Sequence, residues 1–208
     1  MMNVQVNKDA PNIFGLIPPN SVGAEIGVWM GNTSEGILSR VKGIKEIHLV
    51  DSWSVVPYKN NSEMSFQEYI ARYQEITNEI SEAGFMNYYE QVYKHVLDKF
   101  KFEPRVKIHR MLSTDWFEMM KKEHLELDWI YIDGDHSYEG CLSDLRNGLS
   151  MLKNGGMLFG DDYKWPGTKW GKPGVTKAVD KFREENPLLM QFSRHGETQF
   201  AIKKAIEV

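Results

Sequence analysis

The chain has 208 residues, of which 41% are hydrophobic and 12% aromatic, so its composition is that of a globular protein rather than a disordered one. Its net charge of −4 gives no support to bulk electrostatic binding of nucleic acid or of an anionic membrane. No apolar run approaches the roughly 20 residues that span a bilayer, and residues 1–10 contain no signal-peptide core. The single cysteine, Cys141, fits a reducing compartment. We therefore expect one domain over residues 1–208, soluble and cytoplasmic.

Apolar runs and turn signals predict strands that alternate with helices along the chain. Strands are predicted at 22–26, 46–50, 106–109, 128–132 and 157–160, followed by an antiparallel pair at 188–194 and 198–203. Helices are predicted at 33–41, 88–101, 138–152 and 175–185, with a further helix capped by Ser113 or Thr114, and a glycine turn is predicted at 153–156. This order predicts an α/β fold: a mostly parallel seven-stranded sheet with helices on both faces and a C-terminal antiparallel hairpin.

The segment 54–104 is longer than one strand-to-strand crossover needs. Apolar and aromatic residues recur within it at helical spacing, for example Phe66, Tyr69, Tyr73 and Ile76. We expect a helical insertion here. A lid, the surface of a homodimer, and extra helices that only cover the sheet all fit this pattern.

The segment 22–34, VGAEIGVWMGNTS, predicts a short strand, a glycine turn and a helix that begins at Asn32, Thr33 or Ser34. Glycines let the backbone approach a ligand closely, and the helix N-terminus favours an anionic group. Glu25 stands at the carboxyl end of the strand, where ligands bind in open α/β sheets. The spacing Glu-x-Gly-x-x-x-Gly differs from the dinucleotide pattern Gly-x-Gly-x-x-Gly. It suits a ligand with a cationic amine or sulfonium and no pyrophosphate.

Carboxylates follow directly on three further predicted strands. They are Asp51, Asp133 and the pair Asp161 and Asp162, and all should share one sheet edge with Glu25. Unpaired buried charge is costly, so this convergence predicts a ligand or a metal. An acid in the position of Asp51 can bind ribose hydroxyls, and Asp133, Asp161 and Asp162 could together hold Mg²⁺. A helix cap or a surface loop is the alternative interpretation of Asp51, and a helix N-cap is the alternative interpretation of Asp133.

The order and spacing of these motifs resemble class I S-adenosylmethionine-dependent methyltransferases of the small-molecule O-methyltransferase type. The resemblance runs from the Glu25 motif through Asp51 and the sequence DGDH at 133–136 to the sequence DDY at 161–163. Within that class the chain is similar to a metal-dependent branch that acts on sugars of natural products. The resemblance implies a Rossmann-like fold, S-adenosylmethionine (SAM) as the methyl donor and a divalent metal, with Mg²⁺ as the expected ion.

The resemblance also implies roles for individual residues. Glu25 and Gly27 would hold the amino-acid part of the donor, Asp51 its ribose, and Met111, Leu112 and Ser113 would flank its adenine. Asp133, Asp161 and Asp162 would ligate the metal, and Asp135 or His136 would be the general base. The full set expected at the donor is Glu25, Gly27, Trp29, Gly31, Thr33, Asp51, Ser52, Trp53, Met111, Leu112, Ser113 and Asp133.

Two departures weaken the case for a catechol acceptor. His136 stands where catechol-type relatives carry a lysine, and Tyr163 stands where they carry an asparagine. We expect methyl transfer to an oxygen of a small molecule, such as a sugar or a natural-product hydroxyl, without a nucleic-acid or membrane partner. The loop 163–174, with Trp165 and Trp170, is a candidate lid.

Three other functions stay open on the sequence alone. A metal-independent methyltransferase would use the same acids only for the donor and the base. A nucleotide- or NAD-dependent enzyme on the same fold would need the missing pyrophosphate pattern. A non-catalytic binding domain could keep the fold without the chemistry.

Overall fold

The structure is a computed structural model that describes residues 13–59, 65–164, 174–188 and 190–206. These residues form the strands β1 (Val22–Ile26), β2 (Glu46–Asp51), β3 (Val106–Arg110), β4 (Leu127–Ile132), β5 (Leu152–Gly160), β6 (Met190–His195) and β7 (Gln199–Lys204). The helices are α1 (Asn32–Arg40), α2 (Val56–Lys59), α3 (Phe66–Thr77), α4 (Glu82–Phe100), α5 (Ser113–Lys122), α6 (Tyr138–Met151) and α7 (Gly174–Glu185), preceded by a 3-10 helix at Ile13–Leu16. No helix in the described ranges is long and apolar enough to cross a membrane.

The strands form one sheet in the order β3-β2-β1-β4-β5-β7-β6. β1 to β5 run parallel, while β7 pairs antiparallel with both β5 and β6. The carboxyl ends of the five parallel strands therefore meet at one edge. The prediction of a mostly parallel sheet closed by an antiparallel hairpin is confirmed.

Helices cover both faces of this sheet, because successive side chains of a strand point to opposite faces and those of β1, β2 and β4 are nearly all buried. In β4, Ile130 and Ile132 pack into the core beneath α5, α6 and α7, which contribute residues such as Trp116. Trp129 and Tyr131 of the same strand point to the other core, beneath α1 and α4. The sheet is thus buried on both sides, and its carboxyl edge is the place where side chains can meet a ligand.

Two local predictions need correction. β5 begins at Leu152 and includes 153–156, so the predicted glycine turn is part of the strand. Gly155 has a φ of 77°, and the pairing of β4 with β5 shifts register between Leu127 and Trp129. The glycines therefore serve an irregularity within the strand, as glycine often does in a bulge.

The second correction concerns α5, where neither Ser113 nor Thr114 caps the helix. The N-cap position is Leu112, which makes no side-chain cap hydrogen bond. The predicted lid with Trp165 and Trp170 lies outside the described residues, as do residues 1–12.

Candidate active site

A cavity of about 860 Å³ opens at the carboxyl edge of the sheet, between the strand ends and the helices α2, α3 and α4. Most residues predicted from the sequence line it, and two, Gly31 and Trp53, do not. The predicted residues that line it are Glu25, Gly27, Trp29, Thr33, Asp51, Ser52, Met111, Leu112, Ser113, Asp133, Asp135, His136, Asp161 and Asp162. The sequence thus predicted the sheet edge that carries the cavity.

Asp51 fastens the glycine turn to the end of β2. Its Oδ2 atom accepts hydrogen bonds from the backbone N–H groups of Val28 at 3.0 Å and Trp29 at 2.9 Å. Its Oδ1 atom accepts the N–H of Trp53 at 2.7 Å. Burial raises the pKa of Asp51, although these N–H donors act against the rise. The carboxylate therefore shapes the turn as well as facing the cavity.

Gly27 is required where the turn passes close to β4. Its φ is 86°, and a Cβ atom there would lie 2.2 Å from the carbonyl oxygen of Asp133. Only glycine accepts both the left-handed backbone and this close approach. Gly27 thereby lets the ends of β1 and β4 lie side by side at the floor of the cavity.

Gly31 and Trp53 support the turn from behind. Gly31 has a φ of 73° as the N-cap of α1, and a Cβ atom there would lie 2.7 Å from the ring of Phe100. Trp53 is fully buried, and its indole N–H donates to the carbonyl oxygen of Trp29 at 2.9 Å. Both residues serve packing beneath the turn.

Glu25 is a buried carboxyl group at the end of β1. It is 1% exposed and accepts a hydrogen bond from the hydroxyl of Ser34. Burial raises the pKa of Glu25 to about 8, the Ser34 hydroxyl opposes this rise, and the charges of Asp133 and Asp51 add to it. A cationic group in the cavity would favour the ionised form of Glu25.

Asp133, His136 and Asp162 converge on one point of the cavity. Each offers one ligand atom, and these atoms lie within 4.8 Å of one another. His136 Nε2 lies 3.3 Å from Asp133 Oδ1, and His136 Nδ1 lies 3.2 Å from Asp162 Oδ2. Two carboxylates and an imidazole are a donor set that suits a divalent cation.

Asp161, predicted as a metal ligand, does not join this cluster. Its Oδ1 atom accepts the hydroxyl of Thr198 and the N–H of Asp162. Asp135, the alternative base, accepts the N–H of Ser137 at 2.9 Å with its Oδ1 atom. The described cluster thus contains His136 where the sequence predicted Asp161.

The pKa values of Asp133, His136 and Asp162 are all raised, which means that this cluster favours the binding of protons or of a cation. Burial raises the pKa of Asp162 to about 6, against the charge of His136, and burial also raises the pKa of Asp133. Burial acts to lower the pKa of His136, but the hydrogen bond and charge of Asp133 and the charge of Asp162 outweigh it, so this pKa is raised. A divalent cation would compensate the same crowding of negative charge.

Asp144 is a cavity residue that the sequence analysis did not identify. It lies on α6, is 2% exposed, and its Oδ1 atom accepts the hydroxyl of Ser113 at 2.7 Å. Burial raises the pKa of Asp144 to about 7, while the Ser113 hydroxyl opposes the rise. The sequence did contain an indication of this residue, because Asp144 is an acid between Cys141 and Leu145, on the apolar face of the helix.

The helices between β2 and β3 supply an aromatic wall of the cavity, whose residues were not predicted as site residues although a lid was one interpretation of this segment. The aromatic residues that line the cavity are Tyr58, Tyr69, Tyr73, Tyr88 and Tyr89, and Arg72 lines it beside them. Tyr58 stacks on Tyr69 with ring centroids 3.9 Å apart, and the hydroxyl groups of Tyr69 and Tyr89 are hydrogen-bonded. In the sequence, this wall was indicated by tyrosines at helical spacing, at positions where leucine would be enough for packing.

Comparison with solved structures reveals similar folds at low identity. An O-methyltransferase from Bacillus cereus, solved in complex with S-adenosylhomocysteine (SAH), is 12% identical, with a TM-score of 0.58 over 89% of this chain and 74% of that one. The O-methyltransferase NovP is 18% identical, with a TM-score of 0.55 over 93% and 75%. A ribosomal protein L11 methylase from Lactobacillus delbrueckii subsp. bulgaricus is 12% identical, with a TM-score of 0.51 over 91% and 72%.

Comparison at the level of sequence assigns the family. No curated protein matches the chain significantly. A family profile described as a methyltransferase domain matches residues 24–163, from β1 to the residue after Asp162. This range contains the glycine turn, Asp51 and the cluster of Asp133, His136 and Asp162. The chain therefore belongs to the methyltransferase domain family and is a class I SAM-dependent methyltransferase.

Proposed function

We propose that this methyltransferase transfers the methyl group of SAM to an oxygen of a small molecule with the help of a divalent metal. One observation carries the proposal: the glycine turn fastened by Asp51 and the cluster of Asp133, His136 and Asp162 open into the same cavity of about 860 Å³. A donor on the turn and an acceptor at the cluster would thus be neighbours. Holding two reactants in line is the main task for a donor that is already activated.

The residues expected to bind the donor lie at the carboxyl ends of β1 and β2 and directly after β3. Glu25 would bind the amino group of the donor, because a buried carboxyl group gains from a cationic partner. Asp51 and Ser52 would bind the ribose, and the segment from Met111 to Ser113 would flank the adenine. SAM supplies the methyl group on a positively charged sulfur. The aromatic wall of α2, α3 and α4 would exclude water from that group.

The acceptor side is the cluster. Asp133 and Asp162 would hold the metal, with His136 as a third ligand or as the base, and Asp161 close by. A metal there would lower the pKa of the acceptor hydroxyl and orient it. His136 at either ring nitrogen, or the Asp135 carboxylate, would take the hydroxyl proton. The metal-independent alternative keeps the same donor residues and the same two candidate bases.

The first experiment is calorimetric titration of SAH into the purified protein. We expect saturable one-to-one binding that Asp51→Ala weakens at least tenfold, because this change releases the glycine turn. Asp98→Ala is the matched control, since Asp98 is exposed on α4 and pairs with Lys101. Absence of SAH binding to the wild-type protein, with and without Mg²⁺, would contradict the proposed function.

We also propose that the enzyme acts in the cytoplasm on a free small molecule, without nucleic acid or membrane. The net charge of −4 and the free, buried Cys141 support this setting. A homodimer through the helices between β2 and β3 stays a prediction. Sedimentation at several concentrations, with and without SAH, measures it directly.

A further inference from the structure

Arg72 is a positive charge that lines a cavity rich in carboxyl groups. The cavity is lined by eight carboxyl groups, those of Glu25, Asp51, Glu75, Asp133, Asp135, Asp144, Asp161 and Asp162. Arg72, half-buried in the middle of α3, is the only arginine or lysine among the described residues that line it. Its presence there needs an explanation, because long cationic side chains usually reach solvent.

Arg72 does not neutralise a neighbouring acid among the described residues. Among the described residues, no carboxylate lies within ion-pair distance of Arg72. By contrast, Arg105, Arg110 and Arg146 each pair with a glutamate at 2.5 to 2.8 Å. The guanidinium of Arg72 instead lies 5.4 Å from the ring centroid of Tyr73. Within the described part of the chain, no carboxylate therefore uses its hydrogen-bond donors.

The position of Arg72 is on the acceptor side of the cavity. Arg72 lines the same cavity as Asp133, His136 and Asp162. In agreement with this placement, its charge acts to lower the pKa values of His136 and Asp162. Burial raises the pKa of the next residue, Tyr73. The charge of Arg72 opposes this rise, and the charges of Asp162, Asp133 and Asp135 add to it. The donor turn is flanked by other residues of the wall, such as Tyr88, whose hydroxyl accepts the indole N–H of Trp29 at 3.0 Å.

We propose that Arg72 binds an anionic group, a carboxylate or a phosphate, on the methyl acceptor. The inference rests on the proposed function and narrows its substrate to hydroxylated acids, such as sugar acids, sugar phosphates or phenolic acids. A guanidinium matches the two oxygens of such a group with parallel N–H donors. The ring of Tyr73, with its centroid 5.4 Å from the guanidinium, is within the range of a cation–π contact. The acceptor would then span from Arg72 to the cluster, with its hydroxyl at the cluster.

The test is calorimetric titration of paired probes into protein saturated with SAH and Mg²⁺. The pairs are glucuronate and glucose 6-phosphate against glucose, and 3,4-dihydroxybenzoate against catechol. At least one acid should bind ten times more tightly than its neutral partner. Arg72→Gln should abolish that preference and Arg72→Lys should keep part of it, while both leave SAH affinity unchanged. Tighter binding of glucuronate would identify a carboxylate as the group that Arg72 binds, and tighter binding of glucose 6-phosphate would identify a phosphate.

Arg194→Gln is the control, because Arg194 is exposed on β6, outside the cavity lining. The proposal is overturned if no probe binds, if neutral probes bind as well as acids, or if the preference survives in Arg72→Gln. It is also overturned if Arg72→Gln weakens SAH binding, since Arg72 would then hold the donor's own carboxylate. Failure of SAH to bind the wild type would instead refute the proposed function itself.

Discussion

Glu25 shows how a single buried carboxyl group can favour binding at the expense of stability. In the folded chain its pKa is raised from 4.5 to about 8, so the folded state holds one more proton than the unfolded state between these values. Stability from this group is complete below about pH 4.5 and is lost as the pH rises to about 8. A cationic amine in the cavity would offset that loss by pairing with the carboxylate.

We therefore expect Glu25→Gln to be more stable than the wild type at pH 8 to 9 without ligand, by about 2–4 kcal/mol. The two proteins should become alike near pH 4.5, and the variant should bind SAH more weakly. Thermal unfolding across this pH range, with SAH titration at pH 8, measures both effects. Equal stability at pH 8 would show that the carboxyl group is better solvated than its burial indicates.

Among the secondary-structure elements, the helices between β2 and β3 are tied to the donor turn. α4 contacts the turn through the hydrogen bond from the Trp29 indole to Tyr88. α4 also places Phe100 against Gly31. These contacts make α4 a wall of the proposed donor site. The helix α3, with Arg72 and Tyr73, lines the proposed acceptor side of the cavity.

Tyr88→Phe removes one hydrogen bond from this wall and leaves the ring in place. We expect a loss of about 1 kcal/mol of stability and a several-fold weaker affinity for SAH, because Trp29 loses its partner. Tyr131→Phe is the control: its buried hydroxyl accepts from Gln199 at 3.0 Å and does not line the cavity. It should cost similar stability and leave SAH affinity intact, and equal affinity losses in both variants would refute the specific role of α4.

The sequence predicts the position of a helix or strand better than the direction in which the side chains at its end point. Asp133, Asp161 and Asp162 were placed at the correct edge because acids that follow apolar parallel strands must gather there. Which acids meet depends on the loop backbone: Asp162 has a φ of 60° and contacts His136, while Asp161 turns to Thr198. No pattern of residue types encodes that choice. Gly31 and Trp53, also predicted at the donor, pack behind the turn. A motif does not distinguish a residue that lines a cavity from one that packs behind it.

At the scale of the whole molecule, the cluster is the clearest test of metal dependence. If Asp133, His136 and Asp162 hold a cation, millimolar Mg²⁺ should raise the unfolding temperature of the wild type, because ligand that binds only the folded state stabilises it. Chelation should reverse the shift and abolish methyl transfer. Asp162→Asn should show neither the shift nor turnover, while Asp161→Asn, outside the cluster, should keep the shift. Full turnover with a chelator would select the metal-independent alternative.

The place of β7 between β5 and β6 has a consequence for biosynthesis. β5 ends at Gly160, but the strand that pairs with its free side, β7, ends at Lys204. At about 5–20 residues per second, the nascent chain exposes β5 as an unpaired edge for on the order of seconds. Exposed edges invite pairing with other chains. We therefore expect the expression yield to depend on slow-translating codons between β5 and β7, and on chaperones that act while the edge of β5 is unpaired.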